Sequence, residues 1–195
     1  MLYAVNELFY SIQGEGFHAG KPAIFIRLAG CNLNCNWCDT NHSKVNLQIG
    51  ADELVRLISQ NYKSLNSFSG IVIITGGEPT LQRLQPLVDA LHSMYRRQYV
   101  CIETNGTRLN SIPLDTDWIT FSPKHGVEYP SGIRANEIKI VYDEKIDPNK
   151  WYNVNLFQHH FIQPCSQNFN NAIKFVMENP QWRLSVQLQK LINIS

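Results

Sequence analysis

Six short apolar runs, most of them rich in β-branched residues and each ending in polar residues or glycine, constrain the fold of this chain most strongly. Helical patterns lie between some of the runs, at Ala51–Asn61, Leu81–Arg97 and Asn171–Glu178. Strands that alternate with helices predict a parallel sheet. About six strands against about three helices predict an α/β fold in the form of a partial, incomplete barrel. The six runs are Ala23–Leu28, Ile71–Ile74, Val100–Ile102, Trp118–Phe121, Glu137–Tyr142 and Phe161–Ile162.

Length and composition predict one globular unit. The 195 residues are enough for a sizeable core, and because no repeat or Pro/Gly-rich linker interrupts them, we expect a single domain over residues 1–195. The formal net charge of +1 gives no electrostatic reason to expect nucleic acid or a membrane as a partner. No apolar run is long enough to cross a membrane and no basic signal-peptide start is present, so we expect a cytoplasmic protein.

Three cysteines lie close together after the first run, in the spacing Cys31-x3-Cys35-x2-Cys38. In a cytoplasmic protein such cysteines are metal ligands more often than disulfides. One interpretation is a structural zinc site with His42 as fourth ligand. An ordinary iron–sulfur cluster would need a fourth thiolate, and Cys101, inside an apolar strand, is better interpreted as a buried structural thiol. The remaining interpretation is a [4Fe–4S] cluster in which one iron has no protein ligand.

Chemically useful residues also follow three other runs. Thr75-Gly-Gly-Glu78-Pro79 alone would indicate a turn, and the segments Ser122–Lys124 and Gln163–Ser166 are weak turn signals. In a parallel sheet, however, ligands bind at the carboxyl ends of the strands, where all these segments would lie together. The pattern therefore indicates one shared ligand.

The segment CNLNCNWC is similar to the CxxxCxxC signature of the radical S-adenosylmethionine superfamily, and TGGEP is similar to the superfamily's motif for the methionine end of that cofactor. The resemblance implies a [4Fe–4S] cluster on Cys31, Cys35 and Cys38 whose open iron chelates S-adenosylmethionine. Reductive cleavage would then release a 5′-deoxyadenosyl radical. The implied contacts of S-adenosylmethionine are Trp37, Cys38, Asp39, Gly77, Glu78, Ser122, Pro123, Lys124, Gln163, Pro164, Cys165 and Ser166.

The amino-terminal stretch Asn6–Gly16, with Gly20–Pro22 and Arg27, resembles the 7-carboxy-7-deazaguanine synthase family of that superfamily. The motifs QGEG, CxxxCxxCDT, TGGEP, ETNG, SPK and QPxS occur in the family's order. The resemblance implies a lyase that converts 6-carboxy-5,6,7,8-tetrahydropterin to 7-carboxy-7-deazaguanine with loss of ammonia, in queuosine or another 7-deazapurine pathway. It also implies a homodimer, and flavodoxin or ferredoxin is a plausible electron donor.

Residue types fit a carboxylated pterin. Arg27 offers a planar donor fork to the substrate carboxylate, whereas Gln13, the Gly14 backbone and Glu15 offer donors and acceptors to the amide and guanidine-like edge. The resemblance further implies Thr40 as a Mg²⁺ ligand. In the tail, Gln189 and Ser195 stand where the family commonly has histidine and proline. The implied substrate contacts are Ile12, Gln13, Gly14, Thr75 and Ser195.

Two other functions are open on the sequence. A glycyl-radical-enzyme activase would share the cluster and the TGGEP motif, but it would leave QGEG unexplained. A non-catalytic zinc module would use the same three cysteines with His42. Colour separates the second case, because an iron–sulfur protein purified without air is brown and a zinc protein is colourless.

Overall fold

A computed structural model describes residues 1–62, 70–152, 156–165 and 168–194, and within these ranges nine strands form one sheet. The six predicted strands correspond to β2 and β4–β8, which lie side by side and pair in parallel. The sheet order is β3-β1-β2-β4-β5-β6-β7-β8-β9. The strands are β1 (Tyr3–Ile12), β2 (Pro22–Leu28), β3 (Leu47–Ile49), β4 (Ile71–Gly76), β5 (Tyr99–Thr104), β6 (Trp118–Phe121), β7 (Glu137–Tyr142), β8 (His159–Pro164) and β9 (Arg183–Leu184).

The sheet is a partial barrel, as predicted. Strand β1 runs antiparallel to β2, and β3 runs antiparallel to β1. At the other side β9 adds two residues in parallel to β8. Strands β3 and β9 are the two edges, and no pairing joins them in the described part of the chain, so the barrel is not closed.

Of the three predicted helices, one has the predicted range and two have different ranges. Helix α1 occupies the predicted range, but the predicted helix Leu81–Arg97 is shorter in the structure, because the chain first forms a 3-10 turn at Pro79–Leu81 and Pro86 then occupies the first turn of α2. Helix α4 begins two residues before the predicted start. The helices are α1 (Ala51–Asn61), α2 (Gln85–His92), α3 (Asn149–Tyr152), α4 (Phe169–Glu178) and α5 (Leu188–Leu191).

The two faces of the sheet differ in polarity. The main apolar core lies between the outer face and the helices, with fully buried residues such as Leu54 and Leu87. The inner face carries a small apolar cluster that includes Phe25 and Cys101, and polar residues nearer the carboxyl ends of the strands. Cys101 is 3% exposed, which confirms its interpretation as a buried thiol. Among the described helices, none is long and apolar enough to cross a membrane.

The connection between β1 and β2, residues 13–21, crosses the amino-terminal end of the barrel; we call it the floor loop. The backbone N–H of Phe17 donates to Glu137 Oε2 (2.8 Å) at the start of β7. The Phe17 ring stacks on Trp118 (4.8 Å between centroids) and His159 (4.3 Å), which begin β6 and β8. The loop therefore closes one end of the barrel beneath the polar inner face.

The carboxyl-terminal segment, residues 185–194, packs against the floor loop; we call it the tail. The N–H of Gly16 donates to Ser185 Oγ (2.9 Å), and the N–H of Leu188 donates to the carbonyl of Gly14 (3.1 Å). A Cβ on Gly14 would lie 1.6 Å from Gln189 Oε1, so only glycine permits this close approach. The tail thereby forms a wall of the inner space.

Candidate active site

A cavity of about 1010 Å³ opens at the carboxyl ends of the parallel strands, with the floor loop below it and the tail beside it. It brings together most of the residues that the sequence indicated. The predicted residues that line it are Ile12, Gln13, Gly14, Glu15, Arg27, Trp37, Cys38, Asp39, Thr40, Thr75, Gly77, Ser122, Lys124, Gln163, Pro164 and Cys165.

Four predicted site residues within the described ranges do not line the cavity: Cys31, Cys35, Glu78 and Pro123. Ser166 and Ser195 fall outside the described residues, so their predicted contacts stay predictions.

The three cysteines of the loop after β2 are free thiols with different exposure. Cys31 and Cys35 are half-buried and Cys38 is exposed. Burial raises the pKa of the Cys35 thiol, and the neighbouring Cys31 and Cys38 raise it further, whereas Lys124 lowers it. The three sulfurs are therefore close enough to interact electrostatically. In the part of the chain that is described, no three metal-binding side chains form a ready-made ligand set. Three soft sulfur donors on one exposed loop nevertheless suit an iron–sulfur cluster.

The two glycines at the end of β4, Gly76 and Gly77, let the TGGEP segment pack directly on the cysteine loop. Gly76 has φ +145°, and a Cβ there would lie 2.1 Å from the carbonyl oxygen of Leu28. A Cβ on Gly77 would lie 2.3 Å from the carbonyl oxygen of Gly30 and 2.7 Å from Cys31 Cβ. Because backbone meets backbone, the geometry of one loop fixes that of the other.

Glu78, an implied contact of S-adenosylmethionine, does not line the cavity. It is fully buried. Its Oε1 accepts from the N–H and hydroxyl of Thr80 and from Thr104 Oγ1 (2.8 Å), and its Oε2 accepts from the N–H of Asn105 (2.6 Å). In this structure Glu78 ties the TGGEP segment to the end of β5.

Lys124, from the predicted SPK segment, lies close to the cysteine loop. Its Nζ donates to the carbonyl and the hydroxyl of Ser122 (2.7 Å each) and lies 5.5 Å from the centroid of the Trp37 ring. Burial lowers the pKa of Lys124 to about 8. Trp37 in turn donates its ring N–H to Asp143 Oδ2 (3.3 Å). These contacts join the cysteine loop to the ends of β6 and β7.

Glu103 is a residue of the cavity that was not among the predicted contacts. Its Oε1 accepts from Gln13 Nε2 (2.9 Å) and its Oε2 from Thr75 Oγ1 (3.0 Å). It therefore connects the floor loop to two strands. Glu103 belongs to the ETNG motif, but nothing in that motif indicates which side chain faces inward.

Lys139 is the second residue that was missed. It lies in the middle of β7, is 6% exposed and forms an ion pair with Glu15. Glu15 Oε1 also accepts from Gln187 Nε2 (2.9 Å) and Gln189 Nε2 (3.1 Å) of the tail. Burial raises the pKa of Glu15, but Lys139 and these hydrogen bonds outweigh it and hold that pKa below its usual range. The sequence signal that could have indicated Lys139 is a lysine within the apolar run EIKIVY.

Arg27 lies at the rim of the cavity with its guanidinium partly engaged. Its Nε contacts Glu7 Oε2 (2.8 Å), its Nη1 donates to Thr40 Oγ1 (3.0 Å), and the group lies 5.7 Å from the centroid of the Phe9 ring. The two residues predicted to contact the substrate carboxylate and Mg²⁺ are thus direct neighbours.

Comparison with known proteins gives this arrangement its family. The model of the radical SAM superfamily matches residues 25–141. The 7-carboxy-7-deazaguanine synthase of Bacteroides thetaiotaomicron is 46% identical over 197 residues, and that of Bradyrhizobium diazoefficiens is 37% identical over 215, with all of each chain covered in both cases. The chain belongs to the 7-carboxy-7-deazaguanine synthase family. The crystal structure of QueE from Escherichia coli superposes with a TM-score of 0.77 at 31% identity, over 96% of this chain and 95% of that one.

The family decides between the functions that the sequence left open. A synthase family matched along the whole chain favours neither a glycyl-radical-enzyme activase nor a non-catalytic zinc module. The protein is a radical S-adenosylmethionine enzyme of 7-deazapurine biosynthesis, as the resemblance implied.

Proposed function

We propose that this enzyme converts 6-carboxy-5,6,7,8-tetrahydropterin to 7-carboxy-7-deazaguanine with loss of ammonia. The observation that carries the proposal is one cavity with Arg27 at its rim, Gln13 and Glu15 in its floor and the cysteine loop above. A carboxylated pterin needs a cation at one end and hydrogen-bonding partners along its amide and guanidine-like edge. The relatives named above are called synthases of this product.

The cofactors would bind beside this cavity. Cys31, Cys35 and Cys38 would hold a [4Fe–4S] cluster, and the nearby Gly77, Ser122 and Lys124 would contact S-adenosylmethionine. When bound, the pair supplies a 5′-deoxyadenosyl radical that abstracts hydrogen from the substrate. The protein's own contribution is to bind the pterin, orient it and exclude water.

Arg27 would bind the substrate carboxylate. Its Nε and Nη1 are engaged with Glu7 and Thr40, which leaves Nη2 as the edge available to a ligand within the described part of the molecule. Thr40 would contribute its hydroxyl to Mg²⁺. Because Mg²⁺ keeps few protein ligands, substrate oxygens and water would complete its coordination shell.

Two partners belong to the proposal as well. We propose a homodimer, and flavodoxin or ferredoxin as the reductant. The exposure of Cys38 supports this proposal, because a small electron carrier would need access to the cluster loop.

Anaerobic turnover tests the proposed function. Protein reconstituted with iron and sulfide is incubated with S-adenosylmethionine, reductant, Mg²⁺ and the carboxytetrahydropterin, and the deazaguanine product is measured. Cys31→Ala, Cys35→Ala and Cys38→Ala should each abolish cleavage of S-adenosylmethionine, whereas Cys101→Ala, the matched control, should keep the brown colour and the cleavage. Cleavage without any deazaguanine product in the wild type would contradict the proposed substrate.

A further inference from the structure

Lys139 is a buried cation in the floor of the cavity. It projects from β7 between Ile138 and Ile140, whose side chains are fully buried in the main core. Its ammonium contacts Glu15 Oε2. Burying an ammonium in such a position is strongly unfavourable unless an anion compensates it, so a lysine here needs a reason.

Three carboxylates face Lys139. Glu137 is engaged by Thr120 Oγ1 (2.7 Å) and by the N–H of Phe17, and Glu103 by Gln13 and Thr75. The charges of Glu15, Glu103 and Glu137 raise the pKa of Lys139, and the cation of Lys124 is close enough to oppose them.

Glu15 is the carboxylate that Lys139 contacts directly. Lys139 Nζ donates to Glu15 Oε2, and the side-chain amides of Gln187 and Gln189 in the tail donate to Glu15 Oε1. All three partners are donors, so the surroundings suit a carboxylate that only accepts hydrogen bonds.

We propose that Lys139 is a positioning residue for substrate recognition: it keeps Glu15 ionised in the cavity floor, so that the remaining acceptor site on Glu15 Oε2 accepts a hydrogen bond from an N–H group of the pterin's amide and guanidine-like edge. This inference rests on the proposed function and states how the site recognises that edge of the pterin. A carboxylate that accepts from a cationic or amidine-like group is among the stronger hydrogen-bonding arrangements in proteins.

The physical reason is the burial of Glu15. Burial acts to raise the pKa of this carboxyl, and Lys139 is the largest opposing influence. Without the ammonium, only the tail amides would oppose the effect of burial, and the pKa of Glu15 would rise. A protonated carboxyl presents an O–H to the N–H groups of the substrate, which leaves a donor against a donor.

Equilibrium binding of 6-carboxytetrahydropterin as a function of pH tests the inference. The reconstituted enzyme is titrated without air by calorimetry, and the affinity of each variant is divided by that of the wild type at the same pH to cancel the substrate's own titration. Lys139→Met should bind at least about tenfold more weakly at pH 7 and recover toward wild-type affinity as the pH rises to about 9. Lys139→Arg should keep the wild-type profile. Arg56→Met, which removes a cation from an exposed pair with Glu53, is the matched control and should change nothing.

A purely structural ion pair gives different results. It predicts that Lys139→Met loses stability but keeps its affinity, or loses affinity equally at every pH; either result overturns the inference. If Lys139→Met does not fold, Lys139→Gln decides, since its neutral amide can still donate a hydrogen bond to Glu15. A loss of affinity at pH 7 that recovers as the pH is raised supports the inference, and wild-type affinity or an equal loss at every pH overturns it.

The same experiments separate this inference from the proposed function. Normal turnover by the wild type with unaltered binding in the Lys139 variants overturns the inference alone. Absence of both binding and turnover in a wild type that still cleaves S-adenosylmethionine overturns the proposed function and this inference with it.

Discussion

At the scale of single residues, Arg27 places a guanidinium group in a fixed orientation at the rim of the cavity. The side chain is 23% exposed, and Glu7 and Thr40 hold two of its three nitrogens. A planar group fixed in this way has lost most of its freedom before a ligand arrives, so little entropy is lost when a carboxylate binds.

Replacing Arg27 with alanine should therefore weaken substrate binding more than it affects the cluster. We expect the KM for the carboxytetrahydropterin to rise at least about tenfold, because ~1.4 kcal/mol already gives that factor and removing one partner of a shielded ion pair costs more. Substrate-independent cleavage of S-adenosylmethionine should stay near the wild-type rate. Arg56→Ala is the control, and equal KM values for the two variants would place the pterin carboxylate elsewhere.

Thr40→Val tests the proposed metal ligand without changing the shape of the side chain. The substitution removes the hydroxyl that accepts from Arg27 Nη1 and that would bind Mg²⁺. Stimulation of turnover by Mg²⁺ should fall in part, since substrate oxygens and water supply the other ligands. Iron content and absorbance should stay unchanged. A magnesium titration that matches the wild type would contradict the assignment.

Residue identities explain what the sequence could and could not predict about the site. The loops with recognisable spacing, such as Cys31–Cys38 and Thr75–Pro79, were found because several residues act together. Glu103 and Lys139 were missed because each is a single charge in an apolar run, and its direction depends on the pleat. The interior role of Glu78 was missed because its partners, Thr104 and Asn105, come from another strand.

At the scale of elements, the contact between the floor loop and the tail depends on the absence of a side chain at position 14. A Cβ there would meet Gln189 Oε1 at 1.6 Å and the Gln189 backbone nitrogen at 2.9 Å. The tail must move away if any larger residue occupies the position.

Gly14→Ala should accordingly reduce the free energy of unfolding by roughly 1–3 kcal/mol, which is usual for overpacking. Adding Gln189→Ala should restore part of it, because the closest atom is removed but the backbone nitrogen remains. Gly50→Ala is the control: its φ is −73°, and its nearest neighbour would be 4.0 Å from the new Cβ. Urea unfolding measures all three. No recovery in the double variant would show that Gln189 is not the obstacle.

The parallel strands were predictable, whereas the edge elements were less so. Runs such as Ile71–Ile74 are bounded by glycine and lie between helical patterns, and both signals are local. Part of strand β1 lines the cavity and carries the polar residues Asn6, Glu7 and Ser11. The sequence of β1 therefore lacks the apolar pattern of a buried strand. Strand β9 has only two residues and exists through its pairing with β8.

At the scale of the whole molecule, a buried imidazole makes stability depend on pH. His18 of the floor loop packs edge-on against Trp118 and Tyr99, and in the described structure neither ring nitrogen has a hydrogen-bond partner. Burial lowers its pKa from 6.5 to about 4.

His18 should therefore destabilise the protein in mild acid. Above pH 6.5 both the folded and the unfolded chain carry neutral imidazole, so its contribution is constant. Between pH 6.5 and about 4 only the unfolded chain takes up the proton, and stability falls with pH, by at most about 3 kcal/mol. In His18→Phe, which keeps a ring in the aromatic contact, the loss of stability between pH 7 and pH 5 should be smaller than in the wild type. Urea unfolding of both proteins at each pH measures the difference, and parallel curves would contradict the prediction.

The tail's docking on the floor loop also has a consequence for synthesis on the ribosome. Gln187 and Gln189 reach Glu15 across 172 and 174 positions of sequence. A growing chain can pair its strands in order as they emerge, but the wall beside Glu15 is missing until the tail has left the exit tunnel. The cysteine loop is translated long before that point, so a nascent chain that acquired its cluster early would hold it in an open barrel. The wall that the tail forms is therefore added to the pocket only after its other walls have been translated.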